Sequence, residues 1–121
     1  MHIIRNDVTN NRCYVTLSGV ISYNEAEEIK EKIIKETEML KPGFDIINNI
    51  SKYIQGDESG ASILQEIVNH LIDKKVNRII RVVGTSKTGL IQFAKFTPQD
   101  KNLNIHYFPT MEDAAKFLEN N

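Results

Sequence analysis

After two opening strands, segments with helical and extended patterns alternate along the whole chain, and this alternation constrains the possible folds most. The stretch 78–83 carries two pairs of apolar β-branched residues, Ile79-Ile80 and Val82-Val83, which is typical of a central strand buried on both faces. Strands that alternate with helices form a mostly parallel sheet that the helices cover. The pattern therefore predicts an α/β layer structure.

The predicted elements follow in the order β-β-α-β-α-β-α-β-α. The first two strands form a hairpin, because Cys13, Val15 and Leu17 alternate with polar residues and Asn10-Asn11 tolerates the positive φ of a turn. The predicted strands are residues 2–7, 12–19, 44–50, 78–83 and 104–108, and the predicted helices are residues 23–40, 61–74, 90–96 and a last helix that Thr110 caps. The fold class is α/β, with a mixed, mostly parallel five-stranded sheet and about four helices.

Several residues are predicted to begin or end these elements. Ser22 or Asn24 caps the first helix by accepting hydrogen bonds from its first turn. Lys41-Pro42-Gly43 ends that helix, and Gly19 closes the second strand. Residues 51–60 form a polar loop, in which Tyr53 and Ile54 either cover the edge of the core or present a contact patch.

Length and charge narrow the class of protein. The 121 residues suffice for one domain, 1–121, and exclude a large multilayer enzyme. Fifteen basic and 16 acidic side chains give a net charge of −1, which argues against a dedicated nucleic-acid binder. The single cysteine, Cys13, rules out an intrachain disulfide. Apolar runs are too short for a signal peptide or a membrane span, so a cytoplasmic protein is expected.

A short motif, Asp57-Glu58-Ser59-Gly60, precedes the second helix about ten residues after an apolar strand. With the element order, it resembles the STAS domain of anti-sigma-factor antagonists, in which Asp-Ser-Ser/Thr-Gly stands at this place. The chain is more specifically similar to small stand-alone bacterial STAS-like proteins through Lys41-Pro42-Gly43-Phe44, Arg81-Val82-Val83-Gly84 and Glu112-Asp113-Ala114. The resemblance implies a non-catalytic regulatory domain, not an enzyme, that binds a protein partner through the loop before the second helix.

The motif departs from the family at one position that bears on regulation. Glu58 stands where phosphorylated STAS domains carry the acceptor hydroxyl, and a glutamate cannot be phosphorylated. A shift by one residue would make Ser59 the acceptor. Asp57, Glu58, Ser59 and Gly60 are the candidate partner-binding or regulatory residues, and the alternative is that Asp57 or Ser59 merely caps the helix while Gly60 eases the bend.

A second candidate site is the loop from Gly84 to Gly89, which follows the fourth strand. Backbone N–H groups of such a loop can hold an anion, and α/β sheets bind ligands at the carboxyl ends of their strands. The candidate anion- or ligand-binding residues are Arg81, Gly84, Ser86, Lys87 and Thr88. Their ligand would be a lipid, a nucleotide or another anion. The loop is not a P-loop, because Leu90 follows its second glycine, and a plain turn is the alternative.

The remaining features carry less functional information. The basic residues between Lys74 and Lys101 either attract an acidic partner or form a solvated face. His2, His70 and His106 lack the spacing of metal ligands, so neither a metal nor a cofactor is expected. Phe93 and Phe96 either cover the core or line a groove. A homodimer is a further possibility, because the edge strand of the hairpin needs cover.

Overall fold

The fold is a mixed five-stranded sheet with helices on both faces. The computed structural model describes residues 1–56, 60–85, 91, 93–94 and 103–120. The strands are β1 (His2–Asp7), β2 (Arg12–Ile21), β3 (Asp45–Gly56), β4 (Arg78–Val82) and β5 (Ile105–Phe108), and the helices of the described part are α1 (Tyr23–Thr37), α2 (Ala61–Asp73) and α3 (Met111–Glu119). Across the sheet, the strands lie side by side in the same order as in the sequence, from β1 to β5. Among the described strands, the β1–β2 pair alone is antiparallel, which confirms the predicted mixed, mostly parallel sheet.

The alternation of side chains along the central strands divides the core into two layers. Ile46 and Ile79 point to one face and pack with the apolar side chains of α1 and α2. Ile47 and Ile80 point to the other face, where α3 covers them. Both faces are therefore buried along β4 and the first part of β3, residues 45–47, as the unbroken apolar runs predict.

Local signals place the ends of several elements as predicted. Ser22 caps α1, and its hydroxyl accepts from the backbone N–H of Glu25 at 3.2 Å. Thr110 caps α3 in the same way, with the N–H of Asp113 at 3.1 Å. Asn11 has a φ of 57° in the hairpin turn. These caps satisfy backbone donors that the first turn of a helix leaves unpaired.

The prediction of a loop at residues 51–60 is wrong for residues 51–56, because they form the second half of strand β3. Strand β2 likewise runs past Gly19 to Ile21, so Gly19 does not close it. The two strands stay paired through register shifts between Thr16 and Ser18 and between Gly19 and Val20. Gly19, at a φ of 73°, lies at the second shift, where a positive φ costs glycine little. The polar stretch is a strand because β2 supplies partners for its backbone.

The helices also end slightly earlier than the sequence predicts. Helix α1 ends at Thr37 rather than at residue 40, because the N–H groups of Met39 and Leu40 bond three residues back and tighten the chain before Pro42. Of the predicted helix 90–96, Ile91, Phe93 and Ala94 have helical backbone, and its other residues lie outside the described part.

Candidate functional site

The carboxyl edge of the sheet is where Gly60 and Gly84, one described residue from each predicted loop site, lie in the fold. Strands β2, β3 and β4 run parallel, so their carboxyl ends point to the same edge of the sheet. Strands β2 and β3 end together at Ile21 and Gly56, and β4 ends earlier, at Val82 beside Asn49. Helix α2 begins shortly after the end of β3. Gly60 is the N-cap of α2 with φ −74° and ψ −12°, a right-handed conformation open to any residue. The expectation that Gly60 eases a bend is therefore wrong. Asp57, Glu58 and Ser59 lie outside the described residues.

Gly84 follows β4 at this edge, and its backbone requires glycine. Its φ is 58°, and a Cβ at this position would lie 2.9 Å from the Cβ of Ser51 on β3. The absence of a side chain thus allows the turn after β4 to pass directly over β3. Ser86, Lys87 and Thr88, the other predicted ligand residues of this loop, lie outside the described residues.

An apolar cavity of about 100 Å³ lies between the sheet and the two helices α1 and α2. Aliphatic side chains of both layers line it, among them Val15, Leu17, Ile29, Ile33, Ile63 and Ile67. Two polar side chains of the sheet, Asn48 and Arg81, also line it. An apolar cavity was conceivable from the sequence, but Asn48 was not predicted as a site residue, because the polar pair Asn48-Asn49 in an apolar run does not show which face each side chain occupies.

Tyr53 and Ile54, which the sequence analysis treated together, have opposite environments. Tyr53 is buried, lines the cavity and contacts Phe93 edge to face, with 5.5 Å between ring centroids. Ile54 is 60% exposed. The core-covering interpretation holds for Tyr53 and Phe93, and the contact-patch interpretation remains open for Ile54. Phe96 lies outside the described residues.

Among the described residues that line the cavity, Arg81 is the charged one, and it is only 2% exposed. Its Nη1 donates to the hydroxyl of Tyr107 at 2.9 Å and to the carbonyl of Phe93 at 3.4 Å. Burial lowers the pKa of the guanidinium, and the Tyr107 hydroxyl partly opposes this effect. An arginine stays protonated in proteins, so the cavity wall carries a positive charge. Of the predicted ligand residues, the structure thus places Arg81 at the cavity.

Solved structures with the same architecture exist, although no family model and no curated protein matches the chain in sequence. The anti-sigma factor antagonist SpoIIAA in its unphosphorylated form has a TM-score of 0.71 and 18% identity over 100% of both chains. The chain has a STAS-like fold. The phosphorylated form of SpoIIAA, a Bacillus cell fate determinant, has a TM-score of 0.64 and 16% identity over 98% of this chain and 99% of that one.

A third solved structure belongs to an uncharacterised protein from Shewanella loihica. It is a DUF3478 protein with a SpoIIAA-like fold, a TM-score of 0.69 and 14% identity over 98% of this chain and 92% of that one. The fold that the sequence resemblance implied is thereby confirmed. At these identities the likeness concerns the fold, so the role of each loop residue in this STAS-like domain has to be argued from its own side chains.

The arginines of the basic stretch do not form an exposed patch in the STAS-like domain. Arg78 is paired with Asp45 at the amino ends of β4 and β3, with Nε 3.0 Å from Oδ1 and Nη2 2.7 Å from Oδ2. Arg81, three residues on, is buried at the cavity. Lys87, Lys95 and Lys101 lie outside the described residues. The charges of Arg78 and Arg81 are therefore directed into the protein.

The histidines lie in three separate environments. His2 contacts Glu25 at 2.7 Å, His70 bonds to the hydroxyl of Thr37 at 3.0 Å, and the ring of His106 packs on Phe117. Within the described ranges, no three side chains of His, Cys, Asp or Glu come together to hold a metal ion.

Among the described helices, none has the length and apolar character needed to cross a bilayer.

Cys13 is expected to resist alkylation in the folded protein. The side chain is fully buried in β2, and burial, with a smaller effect of Glu36, raises the pKa of its thiol to about 12. The reactive thiolate therefore stays scarce in the folded state even at pH 9, where an unfolded cysteine is largely ionised. Iodoacetamide labelling followed by mass spectrometry checks this. Fast labelling without denaturant, at the rate seen in 6 M guanidinium, would contradict the burial of Cys13.

Proposed function

We propose that this STAS-like domain is a non-catalytic regulatory domain that binds a protein partner at the carboxyl edge of its sheet. The contact surface comprises the candidate residues Asp57, Glu58, Ser59 and Gly60 together with the exposed side chains of Val20 and Ile54. Two kinds of support exist. The fold is shared with a protein named an anti-sigma factor antagonist. In addition, β2 and β3 expose apolar side chains near their carboxyl ends, on the face turned away from α2.

The exposure of Val20 and Ile54 carries the proposal. Each is 60% exposed, and they are close neighbours because Val20 pairs with the residue that follows Ile54. The adjacent residues Ile21 and Tyr53 line the cavity, so Val20 and Ile54 project away from it. Adjacent exposed apolar side chains are typical of the centre of a protein contact, with polar residues such as Lys52 at its rim.

The charge of the neighbouring loop indicates what kind of partner fits. Asp57 and Glu58 precede α2 by a few residues, where the helix dipole favours negative charge. Complementary potentials stabilise and orient protein complexes. The partner surface is therefore expected to be apolar at its centre and basic where it meets Glu58. Ser59, as a phosphate acceptor, would add further negative charge at the same place.

Affinity capture from a native cell extract tests the proposal with three variants. Ile54→Asp and Glu58→Lys alter the proposed surface. Val8→Asp is the matched control, because Val8 is 58% exposed in the β1–β2 turn at the opposite edge. We expect a protein that the wild type and Val8→Asp retain equally, and that both surface variants retain at least tenfold less. Equal retention by all four proteins, with unchanged circular dichroism, would refute the proposed surface.

A further inference from the structure

The cavity between the sheet and the helices has the size and lining of a site for a small amphiphilic molecule. Its volume is about 100 Å³, and apolar cavities of roughly 150 Å³ admit a molecule as large as benzene. At two-thirds of that volume the enclosed space holds about four heavy atoms, so a ligand with a four-carbon tail also occupies the part of the cavity that opens toward the carboxyl edge of the sheet. Gly56 and Gly60 are among the lining residues, so the cavity extends to the carboxyl edge of the sheet.

The polar end of the cavity is formed by two neighbouring strands. Asn48 on β3 pairs in register with Arg81 on β4, so their side chains project side by side from the same face of the sheet. Both line the cavity. The described residues offer no hydrogen-bond partner to the buried Oδ1 of Asn48. Turning the amide so that its NH₂ faces a ligand beside the guanidinium therefore breaks no hydrogen bond of this oxygen with the described residues.

We propose that the cavity binds a short-chain aliphatic monocarboxylate. The carboxylate accepts hydrogen bonds from the Arg81 guanidinium and the Asn48 amide, and the tail lies among the side chains of Ile29, Ile63 and Ile67. A guanidinium and an amide both donate, and a planar carboxylate accepts from two donors at once. An aliphatic tail matches the rest of the lining. Apart from Gly60, which belongs to both, this site is separate from the proposed protein contact, because Val20 and Ile54 project away from the cavity.

Nuclear magnetic resonance of protein labelled at the isoleucine methyl groups tests the site. Four probes separate the head from the tail: pentanoate has both, acetate has only the head, pentan-1-ol has only the tail, and pentylamine reverses the charge. We expect pentanoate to shift the methyl signals of Ile29, Ile63 and Ile67 and to leave the exposed Ile3 and Ile54 unchanged. Acetate and pentylamine are expected to bind at least tenfold more weakly than pentanoate.

Two variants of similar size test the polar end. Arg81→Met is expected to weaken pentanoate binding at least tenfold while pentan-1-ol binds as before, and Asn48→Leu is expected to weaken pentanoate binding about threefold. The wild-type probe series decides the question even if Arg81→Met does not fold. The proposal is overturned if pentanoate shifts none of the three cavity methyls, if pentylamine binds as well as pentanoate, or if a folded Arg81→Met protein binds pentanoate as tightly as the wild type.

Discussion

Replacing Asp45 with asparagine is expected to lower the free energy of unfolding by about 3 kcal/mol. Asp45 is 6% exposed and forms two charge-assisted hydrogen bonds with Arg78. The neutral amide removes the charge that compensates Arg78, which leaves a mostly buried cation without its partner. Urea denaturation followed by circular dichroism measures the loss, and an unchanged midpoint would show that the pair contributes little.

A double variant distinguishes the stability that the ion pair contributes from the cost of leaving one buried charge unpaired. In Asp45→Leu/Arg78→Met both charges are replaced by apolar groups, so no buried charge remains. This variant is expected to recover most of the stability that Asp45→Asn loses, because the large cost is that of a lone charge and not of the missing pair. If the double variant is as unstable as Asp45→Asn, the pair itself stabilises the fold more than an apolar contact would.

Replacing Gly84 with alanine is expected to lower the free energy of unfolding by about 2 kcal/mol. The backbone at Gly84 is left-handed, and the added Cβ would lie 2.9 Å from the Cβ of Ser51. The turn after β4 would have to move away from β3 at Ser51. Thermal denaturation measures the effect, and a midpoint within 1 °C of the wild type would contradict a structural requirement for glycine here.

Gly60→Ala is the matched control at the other glycine of the candidate site. Gly60 has right-handed helical angles, and its added Cβ would make an ordinary contact at 3.8 Å with the Cβ of Ala26. Alanine also restricts the unfolded chain, so the variant is expected to gain about 0.5 kcal/mol. Opposite signs at Gly84 and Gly60 would show that backbone conformation, and not glycine content, determines these effects. A destabilised Gly60→Ala would contradict the conformation described for the start of α2.

The sequence predicted the element order well because the relevant signals are local. Ser22 and Thr110 cap their helices through bonds to residues three positions away. The apolar pairs of β4 indicate burial on both faces, whichever strands lie beside it. The end of β3 could not be predicted in this way. Residues 51–56 have loop-like composition, and they form a strand only because β2 lies beside them.

The candidate site was only partly predictable. Arg81 could be predicted as a candidate ligand-binding residue because its charge interrupts an apolar strand, and the structure places it at a cavity. Asn48, its neighbour across the sheet, was missed, because 33 positions separate the two and only the β3–β4 register makes them adjacent. Two sets of roles stay predictions from the sequence, since the residues lie outside the described part. They are the partner-binding or regulatory roles of Asp57, Glu58 and Ser59, and the ligand-binding roles of Ser86, Lys87 and Thr88.

The sequence by itself determined that this chain forms an α/β layer structure with a mixed sheet, because hydrophobic period, caps and turns act over a few residues. Only the tertiary structure decided which distant residues meet. The register of parallel strands pairs Asp45 with Arg78 and Asn48 with Arg81, and the packing of α1 and α2 against the sheet leaves the cavity. Register and packing depend on contacts between segments far apart in sequence, so no local pattern specifies them.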